Sequence, residues 1–333
     1  MHAQSQTHRP VVGAPDILLT GATGFVGARL HGLLRERGGV RCLTRDARKA
    51  VARFPDRNWI ETDIAEEATV ARALEGCSAA YFLVHDVGGS ADFAARESAA
   101  AAAFARAAAS AGIQRIIYLG GVLPDGDISS EHLRGRSRVG EILMSGRVPA
   151  IELRASMIIG HGSLSFLIVR DLAARLPFMI LPRWLDSRTE PVAIGDVLLA
   201  LVRALDVPLT ESRSFDVPGP EILSGREILV RTATALGLRK PAVVRVPVLT
   251  PRLSSLWVRF VTRAEWRVAR EIVIGLTTDL VARDSRYWEL IGDPRRTPFD
   301  DAAREAIDEE RATGAPGGGW GAMEKCMRAF RGR

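Results

Sequence analysis

The chain has 333 residues, 47% hydrophobic and 25% charged, with a net charge of +6. This size and balance suit one large α/β domain with a small one appended, and no apolar run approaches the ~18 residues that span a bilayer. The basic excess is almost all arginine, spread along the chain and mixed with acids, so no nucleic-acid partner is expected. Cys42, Cys77 and Cys326 lack metal-ligand spacing and leave one thiol unpaired, which reads as a reduced cytoplasmic protein with no metal site.

Residues 1–13 read as a polar, disordered tail without the apolar core of a signal peptide. Strand and helix signals then alternate. Ile17–Thr20 is a strand, Phe25–Arg37 a helix, Val40–Thr44 a strand and Ala47–Arg53 a short helix. Trp59–Asp63 is a strand, Glu66–Leu74 a helix, and Ala80–His85 an apolar strand. Ala91–Ala111 is an alanine-rich helix closed by Gly112. Ile116–Leu119, Ser129–Met144 and Ile151–Ile159 follow as strand, helix and strand. Several strands are apolar without alternation, which predicts an α/β fold, a doubly wound parallel sheet covered on both faces.

Beyond residue 160, Leu164–Leu176, Ile194–Leu205 and Gly225–Gly237 read as helices and Ser214–Val217 as a strand. Residues 244–291 are apolar and arginine-rich and read as helices, and Gly314–Gly319 reads as a linker before Trp320.

The most specific signal is Asp16-Ile-Leu-Leu-Thr-Gly-Ala-Thr-Gly-Phe-Val-Gly27. Strand, glycine loop and helix follow at once, the context that makes a glycine motif a dinucleotide site. Gly21 makes the tight turn, Gly24 admits a pyrophosphate, and Gly27 lets helix and strand pack closely. Thr23, Phe25 and Val26 complete the loop, whose N–H groups lie at the positive end of a helix. The spacing resembles that of the extended and atypical short-chain dehydrogenase/reductases. That resemblance implies a Rossmann domain binding NAD(H) or NADP(H), with a smaller, mostly helical C-terminal substrate domain. The expected division is 14–205 and 206–333, with residues 160–190 contributing to the pocket.

The residue ending the second strand selects the cofactor: an acid holds the ribose of NAD, an arginine the 2′-phosphate of NADP. Arg45 stands there, followed by Asp46, the competing signal, which can instead cap the helix beginning at Ala47. NADP(H) is therefore expected in preference to NAD(H). Asp63-Ile64 resembles the acid–apolar pair that contacts adenine in this superfamily; a turn role for Asp63 is the alternative.

The superfamily's usual Tyr-x-x-x-Lys dyad is missing. The chain has three tyrosines, 81, 118 and 287, followed four residues later by His85, Val122 and Ile291. The helix after the fifth strand instead carries His132 and Arg136, which share a face at i and i+4. A histidine exchanges protons near neutral pH, and an arginine can hold a ribose or an enolate-like charge. Two solvent-facing residues would look the same in sequence.

With the glycine loop, the segments ending in Leu83-Val84-His85, Leu119-Gly120-Gly121 and Ala155 resemble the NmrA-like and YbjT-like NAD(P)H-binding proteins. The resemblance assigns these residues to the cofactor. Asp86, Val122, His161, Ser163, Ser165, Phe166 and Trp184 fall beyond the strand ends, where ligands of doubly wound sheets bind, and are expected to line an apolar pocket.

The expected activity is an NADP(H)-dependent oxidoreductase acting on a carbonyl or conjugated C=C of a small, largely apolar molecule, as a monomer or homodimer. A non-catalytic dinucleotide sensor or assembly protein is the alternative. Arg252 to Arg270 reads as a basic amphipathic helix whose Leu253, Leu256, Trp257, Phe260 and Trp266 cover the pocket. A membrane-surface role is its alternative.

Overall fold

The computed structural model describes residues 16–84, 91–128, 130–175, 178–181, 183–238, 242–245, 262–264, 270–271, 274 and 277–314. Elements are numbered in chain order. The first half alternates β1 Asp16–Leu19, α1 Phe25–Leu34, β2 Val40–Thr44, α2 Ala47–Arg53, β3 Asn58–Glu61, α3 Glu67–Leu74, β4 Cys77–Phe82, α4 Ala91–Ser110, β5 Arg115–Gly121, α5 Glu131–Met144 and β6 Ala150–Ala155. With β11 (Arg213–Asp216), these strands form one parallel sheet in the order β11-β6-β5-β4-β1-β2-β3. The order reverses beside β1, so the crevice of a doubly wound sheet opens above the glycine loop. The sheet takes β11 from beyond residue 205, past the division expected from the sequence.

Successive strand residues face opposite sides, and both faces are covered. Ile17 and Leu19 enter one core with Leu30, Leu34, Tyr81 and Leu201. Leu18 enters the other with Leu74, Phe82, Phe104 and Leu143. This double burial explains the unbroken apolar strands. Small residues such as Ala101, Ala105 and Ala108 on α4 are buried in the second core.

The segment expected as a single strand at 151–159 divides. β6 ends at Ala155, and β7 (Ile158–Ile159) pairs instead with β10 (Val192–Ala193). Ser156 anchors the break by donating to the Glu190 carbonyl at 2.5 Å. α6 (Leu164–Arg175) leads to β8 (Phe178–Leu181), a 3-10 turn at Arg183–Asp186 and β9 (Arg188–Thr189). α7 (Ile194–Arg203) covers the main sheet. β12 (Leu223–Ser224) pairs with β9 and runs into α8 (Gly225–Ala235), whose Ser224/Glu227 capping box is complete.

Residues 242–245 form β13, paired with β8, although helix was expected from residue 244. α9 (Arg286–Leu290) buries Tyr287 and Trp288 against the sheet core. α10 (Phe299–Thr313) was not expected, although Phe299, Ala302, Ala303, Ala306 and Ile307 have helical spacing. They are buried with Phe166, Ile228 and Leu229 in a further apolar cluster.

Trp257, Phe260, Trp266 and most of the 252–270 stretch lie outside the described residues, as do His85, Asp86, the side chain of Trp184, residues 1–13 and the 315–333 tail. Arg263 donates from Nη2 to Asp171 and to Glu310, each at 2.8 Å. Among the described residues, no helix is long and apolar enough to cross a membrane.

Candidate functional site

The tight turn after β1 places Gly21 at φ +65°, a backbone that L side chains rarely adopt, and an added Cβ would lie 2.4 Å from the Leu83 carbonyl oxygen. One turn into α1, a Cβ on Gly27 would lie 2.3 Å from the Gly21 oxygen. Helix, loop and β4 thus touch through bare backbone. Thr20 Oγ1 accepts from Leu83 N at 2.9 Å and ties the ends of β1 and β4 together. Arg57 lies under the loop, donating to Ala22 O at 2.7 Å and Ala28 O at 3.0 Å, with its guanidinium 3.8 Å from the Phe54 ring centroid.

Gly24 is the N-cap of α1 without a side-chain cap, and the first turn holds no acid. A helix start of this kind offers N–H groups and positive potential to an anion. Backbone that excludes every side chain and an uncapped helix start together fit a dinucleotide pyrophosphate.

The loop forms one side of a cavity of about 330 Å³. The cavity gathers Gly21, Gly24, Phe25, Val26 and Gly27, then Leu83 and Val84 after β4 and Leu119 on β5. His132 and Arg136 of α5 line it too, so the face predicted from their spacing meets the glycine loop. Ser163 and Ser165, at the start of α6, also line it.

Other expected residues lie elsewhere. Gly120, Gly121 and Ala155 are buried in the sheet below. Val122 packs with Leu133 and Leu280, and Phe166 belongs to the α6–α8–α10 core. His161 turns to α10, with Nε2 3.2 Å from Thr313 Oγ1. Thr23 and Arg45 are exposed beyond the cavity. Asp63 Oδ1 accepts from Ala65 N at 2.9 Å, the turn role of an aspartate.

The sequence reading missed Tyr118, Ser130, Met157, Thr189, Glu271 and Leu280, all of which line the cavity. Tyr118 donates to the Arg136 carbonyl at 3.0 Å, and burial pushes its phenol up to about 12 against the pull of Arg136. Glu271 is buried at the start of α5, its Oε2 3.4 Å from Ser130 Oγ and 3.5 Å from His132 N. A carboxylate there suits the positive end of the helix, and it ties the His132 turn to a segment about 140 residues away in the chain. The Arg136 guanidinium donates through Nη2 to Leu119 O, while its Nε is buried without a partner among the described residues. Beneath α5, Glu152 is buried over Gly120 and Gly140; burial raises its carboxyl pKa, and Arg154, 2.8 Å away, opposes the rise.

The fold and the cradle define a dinucleotide-binding Rossmann protein. Residues 21–171 match the model of the NAD(P)H-binding family. The chain is 28% identical over 228 residues to the (4-alkanoyl-5-oxo-2,5-dihydrofuran-3-yl)methyl phosphate reductase of Streptomyces griseus, covering 66% of this chain and 74% of that one. The Bordetella bronchiseptica enzyme WbmG, solved with NAD, superposes over 92% of this chain and 96% of its own at 16% identity and TM-score 0.68. The UDP-glucose 4-epimerase of Thermotoga maritima covers 90% and 99% at 12% identity and TM-score 0.66. The two structures share the fold. The family match and the reductase relative support an NAD(P)H-dependent oxidoreductase.

Proposed function

We propose that the protein is an NADP(H)-dependent reductase of a carbonyl or conjugated C=C in a small, largely apolar molecule. One observation carries the reading: a single cavity joins the glycine cradle to the His132/Arg136 face of α5. The glycine loop and the start of α1 hold the pyrophosphate. Arg136, with its unpartnered Nε, holds the nicotinamide ribose. Asp63 and Ile64 border the adenine.

Arg45 accounts for the preference for NADP(H). It is exposed after β2 with no hydrogen bond or ion pair among the described residues. The competing Asp46 is committed elsewhere. It caps α2 through Lys49 N at 2.9 Å and pairs with Lys49 Nζ at 3.0 Å. These contacts hold its carboxyl below the usual range, leaving the arginine to meet a 2′-phosphate.

Bound in this cradle, the reduced cofactor supplies a hydride. His132, on the cavity wall, delivers the proton directly or through a water. Hydride addition conjugate to a carbonyl leaves a delocalised enolate, which needs less concerted proton donation than a localised alkoxide does. That chemistry accommodates a site without the Tyr-x-x-x-Lys pair. The Streptomyces relative, named for an alkanoyl-oxo-dihydrofuran, fits such a conjugated substrate.

NADPH oxidation against a panel of enones, quinones and aldehydes tests the proposal. Turnover of at least one is expected, and His132→Gln should lower kcat by about 10²–10⁴-fold with NADPH affinity unchanged. Tight NADPH binding with no turnover anywhere in the panel would sink the reductase reading and favour a dinucleotide sensor.

A further inference from the structure

We infer that the Thr189 hydroxyl is the hydrogen-bond donor that holds the substrate's carbonyl oxygen. The inference rests on the reductase reading and gives its site a residue that the sequence did not suggest. Thr189 lies on β9, outside the seven-stranded sheet. It is 3% exposed, lines the cavity, and its Oγ1 has no hydrogen-bond partner among the described residues.

The other hydroxyls on the described cavity wall are engaged. Ser163 Oγ donates to Ile158 O at 2.7 Å and lies 3.1 Å from Ser165 Oγ. Ser156 Oγ donates to Glu190 O at 2.5 Å, Ser130 Oγ to Glu271 at 3.4 Å, and the Tyr118 phenol to Arg136 O at 3.0 Å. A buried hydroxyl without a partner is a cost to the fold, and valine would fill the same volume without it. The hydroxyl of Thr189 therefore serves something other than the fold.

Its backbone is held from two sides. β9 runs antiparallel to β12, with Thr189 opposite Leu223, and Thr189 bridges Leu280. Leu280 N donates to Arg188 O at 2.8 Å, and Arg188 N donates to Asp279 Oδ1 at 2.8 Å. The residue is thus placed by a rigid frame, as a donor organised in advance of the reaction must be.

The oxygen held is a carbonyl oxygen, neutral in the ground state. When the acceptor carbon takes the hydride, a C–H bond forms and the π pair shifts onto that oxygen. The Thr189 hydrogen bond strengthens as the charge develops. A proton delivered through His132 then neutralises the product, and the nicotinamide is left oxidised.

The test compares Thr189→Val and Thr189→Ser in the full chain. The valine variant should melt no lower than wild type without ligand and bind NADPH equally well. It should lose about 10²-fold in kcat/KM on 2-cyclohexen-1-one or whichever panel compound the wild type turns over, and serine should restore most of the loss. Unchanged kcat/KM in Thr189→Val overturns the assignment. So does a fall of its melting temperature, because the hydroxyl would then serve the fold. If wild type binds NADPH but turns over nothing, the reductase reading fails by itself. The Thr189 assignment is then decided by the thermal shift that 2-cyclohexen-1-one gives the NADPH-loaded protein. A shift lost in Thr189→Val supports it, and an equal shift or none in wild type overturns it.

Discussion

One side of the cavity is a single stretch of chain, the glycine loop from Gly21 to Gly27, whereas the rest is assembled from Ser130, His132, Met157, Ser163, Thr189, Glu271 and Leu280. The first region works with backbone. Its helix start carries no side-chain cap, and side chains are excluded where loop, helix and β4 meet. The second works with side chains carried on frames whose own backbone is already bonded, as at β9. Substitutions in the two regions should therefore fail differently: the first loses the cofactor, the second keeps it and loses chemistry.

The hardest test of that contrast is Gly27→Val. A side chain there meets the Gly21 carbonyl with no flexible atom to yield, so α1 must move off the loop. The expected cost is about 3 kcal/mol of stability, as for an overpacked core, with NADPH binding lost in a fluorescence titration. A valine variant that still binds NADPH as wild type does would break the comparison.

Next in size is an acid sensitivity within α1. His31 is 3% exposed, and burial, aided by Arg57, lowers its pKa from 6.5 to about 4. The unfolded chain then binds the proton more readily than the folded one between those values. The stabilisation is complete above pH 6.5 and is lost as pH falls through about 4, amounting to roughly 3 kcal/mol. Denaturant melts from pH 7 to 4 should show this slope, and His31→Leu should flatten it. An unchanged slope assigns the acid limb to other groups.

A smaller effect separates the two nicotinamide cofactors. Arg45→Ala should weaken NADPH about tenfold, near the 1.4 kcal/mol expected of one phosphate contact, and leave NADH unchanged. Equal losses for both would place Arg45 away from the 2′-phosphate.

The smallest effect sharpens the contrast from within α1. Gly32 is exposed, and a Cβ there meets nothing within 4 Å. Gly32→Ala should stabilise by about 0.5–1 kcal/mol through helix propensity with cofactor affinity unchanged, five residues from a glycine that tolerates nothing.

The strands of the sheet and the glycine loop were legible because their signals are local. Unbroken apolar runs, a glycine at each close approach and a helix pattern directly after them lie within a few residues of one another. Asp46 was legible as a helix cap for the same reason. The split at Ser156 was not, because a continuous apolar stretch carries no sign that β7 will pair with β10. α10 was overlooked although its spacing was present, because its apolar face is mostly alanine and becomes a core only against α6 and α8.

By itself the sequence determined the cofactor half. Its recognition surface is backbone, and backbone geometry follows from where glycine stands. It also placed His132 and Arg136 on one helical face, since that depends only on the 3.6-residue turn. Tertiary structure alone decided that this face meets the glycine loop, that Glu271 sits at the start of α5, and that Thr189 is left with an unpartnered hydroxyl. Each of these is a relation between residues far apart in the chain, set by how β9, α5 and the 270–280 segment pack, and nothing local in the sequence records it.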